Sequence, residues 1–372
     1  MKNFLKHWIG FSRLLISSCI FFPISISADC SSLCPPHLPE NEQTWSGALR
    51  LKALKNLDQI LYLGTSEKTR TYPLAQPLQE KWIEVDIPEV REFVEKYGYF
   101  SLNRPIVSKV TSDPEDLELT CCLLKTLYEK GVKGDYLQIA VAEILTKILA
   151  YRDLKIGQKI SIPIESQGTV AFESFLVDAV FDIWHGMPAF GLIPEKQSLA
   201  SILLFRGTDF SFDSQRGWAS LISDLDIAGP GLHAFHKAQD ALSTWLKKTK
   251  KMGKASQVMG CSLGGALAAY TFIYENASLA EKGSIAVCPP GVSQKVIEDW
   301  QLLQGNRRLG LTSYVYTGDI VSKVGTLFGT GYCLTSLHRL KPLTAHTFLM
   351  CSQPRFSKAL LDVEFSENST KP

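Results

Sequence analysis

The chain has 372 residues, 45% of them hydrophobic, which excludes a disordered polymer and requires a sizeable core in one large domain or two ordinary ones. Its 39 Lys and Arg nearly balance 37 Asp and Glu. The net charge of +2 gives no electrostatic basis for a nucleic-acid partner, and none is expected.

At the start, Lys2, Lys6 and Arg13 precede an apolar run from Leu14 to Ile26, with small residues around its end at Ser25, Ser27 and Ala28. This layout predicts a signal peptide over 1–28, cleavage near Ala28 and export to the periplasm, the cell surface or the medium. Pro23 and the shortness of the run argue against a spanning helix. Arg13 leaves almost no apolar stretch before Cys19, which disfavours lipid attachment there. Without Cys19 eight cysteines remain, Cys30, Cys34, Cys121, Cys122, Cys261, Cys288, Cys333 and Cys351. An even number in an exported chain permits disulfides, with Cys30 and Cys34 the local candidate pair. Cys261 and Cys288 adjoin apolar runs and are expected to be small buried hydrophobes.

From residue 29 to about 166 the pattern is mixed and mainly helical. "PEDLELTCCLLKTLYEK", opened by Asp113, and "DYLQIAVAEILTKILAYRD" read as helices; "LKIGQKISIPIE" and, beyond it, "FESFLVDAVFDIW" read as strand-rich. No chemical motif occurs before 167, so this region is expected to be an extension that covers or regulates a unit over 167–372.

After Ser198 short apolar runs alternate with helical patterns. "SLASILLF" reads as a buried strand, and the helix Leu232 to Lys248 puts Phe235, Ala238, Leu242, Trp245 and Leu246 on one face. "ASQVM" is a second strand and "LGGALAAYTFIYENA" a second helix. "SIAVC", a helix after Ser293 and the strand Thr312 to Tyr316 continue the series. Such alternation predicts an α/β fold, a mostly parallel sheet with helices on both faces. No later apolar run is long enough to cross a bilayer, so the mature protein is expected to be soluble or in peripheral contact with a membrane.

The junction of the second strand and its helix reads Gly260-Cys261-Ser262-Leu263-Gly264, a G-x-S-x-G pattern. A serine hydroxyl needs a base and an exposed turn to become a nucleophile, and strand, sharp turn and helix supply the turn. The helix that follows aims its N–H groups and dipole at an anion forming beside Ser262.

With "LLFRGTD", "GWASLISDLD", "GPGLHAFHKAQ", "GCSLGGALA" and "YTGDIVSKVG" in this order, the stretch from about Phe172 to Met350 resembles the class 3 lipases of the α/β-hydrolase fold, which include fungal triacylglycerol lipases. The resemblance implies a Ser, Asp, His triad in chain order, with Ser262 as nucleophile and Asp319 as the orienting acid. His338 and His346 follow both in the chain; "AHTFLM" favours His346 as the base, and His338 reads as a solvated loop residue. The interval from Asp319 to either histidine is shorter than in the fungal enzymes, and Cys261 replaces the family's usual histidine before the nucleophile. The implied oxyanion donors are the backbone N–H of Leu263 and, in "FRGTD", Thr208 through its N–H and its hydroxyl.

Trp218, Leu221, Ile222 and Leu225 lie in the segment that forms a lid in that family, and equally suit a fixed core helix. "KKTKKMGK" reads as a solvated connection, and "GTLFGTGY" as a flexible wall rather than a P-loop. No cluster has zinc-site spacing, so no metal or other cofactor is expected. The activity implied is hydrolysis of lipid carboxylic esters, with a non-catalytic binding protein or an acyltransferase on the same fold as rivals.

Overall fold

The strands expected after Ser198 assemble side by side, and their order follows the chain. The computed structural model describes residues 134–360 apart from 167–168, 209–222, 225, 227, 305–309, 320, 337–344, 347–348 and 350–354, together with Ile83–Glu84, Lys125 and Glu129. The signal layout, the helix expected from Asp113 apart from Lys125 and Glu129, which are helical, and Cys30, Cys34, Cys121, Cys122, Cys351, Trp218, Leu221, Ile222, Leu225 and His338 fall outside the described residues.

Among the described residues ten strands form one sheet: β1 (Ile83–Glu84), β2 (Lys159–Ser166), β3 (Thr169–Asp182), β4 (Pro188–Pro194), β5 (Ile202–Phe205), β6 (Gln257–Cys261), β7 (Ser284–Val287), β8 (Leu311–Tyr316), β9 (Thr330–Ser336) and β10 (Arg355–Leu360). Their spatial order is β1-β10-β9-β8-β7-β6-β5-β4-β3-β2. Strands β5 to β9 run parallel at the centre. The flanks, β2 through β4 on one side and β10 with β1 on the other, pair antiparallel. The expected parallel sheet is therefore a parallel centre with antiparallel wings. Helices separate the strands from β5 to β8, and residues 317–329 separate β8 from β9, which is chain enough for parallel crossovers, whereas β2, β3 and β4 are joined by short turns that reverse the chain.

Among the described residues, four α-helices pack on the sheet: α1 (Asp135–Lys147), α2 (Leu232–Lys251), α3 (Leu263–Glu275) and α4 (Gln294–Gln304). Alternate residues of the central strands enter different cores. Leu203, Phe205, Val258, Ala286 and Leu311 pack with Phe235, Leu242, Leu267, Ile273 and Ile297 from α2, α3 and α4. Ile202, Leu204, Met259, Ile285 and Val287 pack with Leu137, Ile144, Leu145 and Ile148 from α1 and its end. Burial on both faces explains why these strands read as continuous apolar runs. The arrangement is an α/β fold.

The boundary expected at 166/167 lies in the turn of the β2–β3 hairpin, whose strands pair from Lys159 with Leu176 to Ser166 with Thr169. With α1 in the core, the packed unit that carries β5 to β9 includes residues from 135 onward. Among the described residues, no helix is long and apolar enough to cross a membrane.

One polar cluster interrupts the apolar packing under α1. Glu143 and Lys147, four residues apart and almost wholly buried, form an ion pair at 3.3 Å. The Tyr316 hydroxyl donates to Glu143 Oε1, and Lys147 Nζ stands 4.6 Å above the Tyr316 ring centroid. Burial and the negative charge of Glu143 push the Tyr316 phenol well above its ordinary range. Removing one member of such a cluster strands a buried charge, whereas replacing both charges by apolar groups does not. Glu143→Ala should therefore lower unfolding free energy by about 3–5 kcal/mol, and Glu143→Leu with Lys147→Met should recover stability relative to that single variant. Urea denaturation of the three proteins measures both effects; equal midpoints for wild type and Glu143→Ala would refute the account.

Candidate active site

Ser262 occupies the single position between the end of β6 and the start of α3, at φ 56° and ψ −128°. Positive φ is costly for a residue with a side chain, so the surrounding structure must impose it. The glycines on either side show how. A β-carbon on Gly260 would stand 2.0 Å from the Gly264 carbonyl oxygen, and one on Gly264 would stand 2.8 Å from the carbonyl oxygens of Phe205 and Arg206. Strand and helix approach so closely that only hydrogen fits. The main chain of Ser262 is then pinned: its N–H donates to Val287 O at 3.0 Å, and its carbonyl accepts from Gly265 N at 2.8 Å and Ala266 N at 3.2 Å.

The side chain of Ser262 meets His346. The hydroxyl oxygen lies 2.9 Å from His346 Nε2, and His346 Nδ1 lies 3.1 Å from each carboxylate oxygen of Asp319. All three residues are buried, Ser262 at 7% exposure, Asp319 at 1% and His346 at 4%. Asp319 follows β8, and its N–H donates to Tyr316 O at 3.0 Å. The carboxylate also accepts from Val321 N at 2.9 Å and from the Ser322 hydroxyl at 2.6 Å. Burial alone would raise the Asp319 carboxyl; His346, Ser322 and Val321 outweigh it and hold the group below the usual carboxylate range. An ionised Asp319 accepts from Nδ1–H, which leaves Nε2 to accept the Ser262 proton.

Thr208 lies after β5, beside the serine. A β-carbon on Gly207 would be 3.5 Å from Ser262 Cβ and 2.7 Å from Cys261 O, so "RGT" lies directly against the turn. The Thr208 hydroxyl donates to Asp224 Oδ2 at 2.7 Å, and Tyr151 donates its hydroxyl to Thr208 O at 3.2 Å. Asp224 thus engages one of the two donors expected of Thr208, its hydroxyl, and leaves the backbone N–H as the other. Leu263 opens α3, where the first N–H groups have no intrahelical acceptor.

Sequence reasoning offered Ser262, Asp319, His346, Thr208 and Leu263 as candidates, and the structure brings them together around one turn. It did not identify Asp224, inside the quoted "SLISDLD", or Tyr151. Burial pushes the Asp224 carboxyl up to about 7, against the Thr208 hydrogen bond and the charge of His346, which lower it. Cys261 and Cys288 are free and buried, and burial pushes the Cys261 thiol up to about 12. Cys288, at φ 47°, directly follows β7. Its sulfur, an Asp319 carboxylate oxygen and a His346 ring nitrogen lie within 4.8 Å of one another, a set able to ligate a metal.

No family model matches the chain, and no curated protein matches it. Among solved structures, a triacylglycerol lipase from Penicillium expansum is similar over 43% of this chain and 69% of that one, with 14% identity and a TM-score of 0.32.

The raised Asp224 carboxyl fixes a sign for pH dependence. Its folded pKa of about 7 exceeds the ordinary unfolded value, so its stabilising contribution is complete below about pH 4 and is lost as pH rises toward 7. Asp224→Asn removes this titration. Urea midpoints measured at about pH 5 and about pH 8 should show the variant gaining on wild type at the higher pH; a constant difference would contradict the assignment.

Proposed function

We propose that this chain is a serine hydrolase that cleaves carboxylic esters of lipids through an acyl-enzyme. The observation that supports it most is the hydrogen-bonded series Ser262 Oγ, His346 and Asp319 at 2.9 and 3.1 Å, built on a turn that two glycines force.

In this reading Ser262 attacks the acyl carbon while its proton passes to His346 Nε2, and Asp319 stabilises the resulting imidazolium. The tetrahedral oxyanion accepts from the Leu263 and Thr208 N–H groups, each such donor being worth about 3–4 kcal/mol of barrier. The leaving alcohol departs with the proton from His346. Water then surrenders a proton to the same nitrogen and attacks the acyl-enzyme, and His346 returns that proton to Ser262 Oγ as the fatty acid is released. Export belongs to the same proposal, supported by the basic, apolar and small-residue order of residues 2–28.

The purified protein should hydrolyse p-nitrophenyl esters and react covalently with a fluorophosphonate probe. Ser262→Ala should abolish labelling, and Asp319→Asn should lower kcat by about 10⁴-fold, the loss typical when the histidine is left in the wrong tautomer. Equal labelling of wild type and Ser262→Ala would count against the reading.

A further inference from the structure

We infer that the Cys288 thiol, the Asp319 carboxylate and the His346 imidazole form an inhibitory site for a thiophilic divalent cation such as zinc or cadmium. The placement of Cys288 follows from the sheet. β7 and β8 are parallel neighbours, and the residues that leave their carboxyl ends, Cys288 and the turn to Asp319, emerge on the same edge. The Cys288 N–H donates to Tyr314 O at 2.7 Å, which fixes the backbone beside β8. Its thiol belongs to no disulfide, and no step of the proposed hydrolysis uses it.

The donor set suits a borderline or soft metal. Thiolate, imidazole and carboxylate are the ligand types of zinc, whereas calcium and magnesium require oxygen ligands. Metal–ligand distances of about 2.0–2.3 Å at tetrahedral angles place neighbouring donors about 3.3–3.7 Å apart. Donor atoms already within 4.8 Å reach that spacing by side-chain rotation of about 1 Å. Charge balances as well: a dication with one thiolate and one carboxylate is neutral, which matters where all three residues are buried.

Coordination changes the proton positions in a defined way. The thiol releases its proton to solvent as sulfur binds the cation. The imidazole proton moves from Nδ1 to Nε2 as Nδ1 takes the metal in place of Asp319. Nε2–H then faces Ser262 as a donor and cannot accept the serine proton. Asp319 keeps its bonds from Val321 and Ser322 through remaining lone pairs. Cation binding therefore silences the site without touching the serine.

Only the inhibitory consequence rests on the hydrolase reading; binding itself does not. The test uses the full chain after chelator treatment, with wild type, Cys288→Ala and His346→Gln. Cadmium titration reads the ultraviolet thiolate charge-transfer band, zinc titration reads the melting temperature, and ester hydrolysis is followed at rising zinc. Wild type should bind one more cadmium than either variant and melt higher with zinc. Cys288→Ala should retain basal hydrolysis while requiring about 100-fold more zinc for half inhibition. Melting without metal shows whether each variant folds, and the two variants remove different ligands, so a folding failure of one leaves the other informative. Equal cadmium stoichiometry and equal zinc-induced melting shifts in all three proteins overturn the inference. A binding difference with no hydrolysis by any protein upholds the metal site and refutes the hydrolase reading instead.

Discussion

The close approach of β6 to α3 is the constraint on which the site depends. With hydrogen as the side chain at 260 and 264, the helix backbone sits against the strand end, and Ser262 is forced to positive φ at the rim of the sheet. Because β5 through β8 are parallel, their carboxyl ends share that rim. Thr208 lies three residues beyond β5, Ser262 directly follows β6, Cys288 directly follows β7, and Asp319 lies three residues beyond β8. A parallel sheet thus gathers on one edge groups that are far apart in sequence, and ligand sites in open α/β sheets recur at this edge for the same reason.

The parts legible in the sequence were those with local causes. The G-x-S-x-G turn, the strand before it and the helix after it are neighbours in the chain, so their residue types carry the signal directly. Asp319 and His346 became candidates through the family resemblance and chain order, with "AHTFLM" favouring His346 over His338. His346 reaches Asp319 across 27 residues, a distance that no periodicity records. Thr208 was a candidate, but the commitment of its hydroxyl was not expected, because Asp224 lies 16 residues away in a segment that suited a lid and a fixed core helix equally.

What escaped the sequence reading concerns packing partners. The pattern of α1 shows a helix without showing which surface it covers, so residues 135–147 were grouped with an extension although they close one face of the sheet. Glu143 and Lys147 illustrate the difficulty: a Glu and Lys four apart look the same whether solvated or buried. Their burial is intelligible only once Tyr316 is known to supply a hydroxyl and a ring beside them. Likewise Cys288 is buried as expected, but composition could not place its sulfur near the acid and imidazole.

The two carboxyl groups near His346 are separated by the charge and the donors they face rather than by burial. For both, loss of solvent is the largest influence and raises the pKa. Among the described residues, Asp319 accepts from His346, Ser322 and Val321, while Asp224 accepts from Thr208. The charge of His346 and then these hydrogen bonds outweigh burial at Asp319 and keep it anionic across neutral pH, whereas at Asp224 burial outweighs the Thr208 hydrogen bond and the His346 charge and leaves it titrating near 7. Carboxyls pushed apart in this manner can take different tasks. Under the proposed reading a permanently ionised Asp319 holds the imidazole in one tautomer. Asp224, largely neutral below about pH 7, positions Thr208 without adding a second fixed negative charge beside the nascent oxyanion.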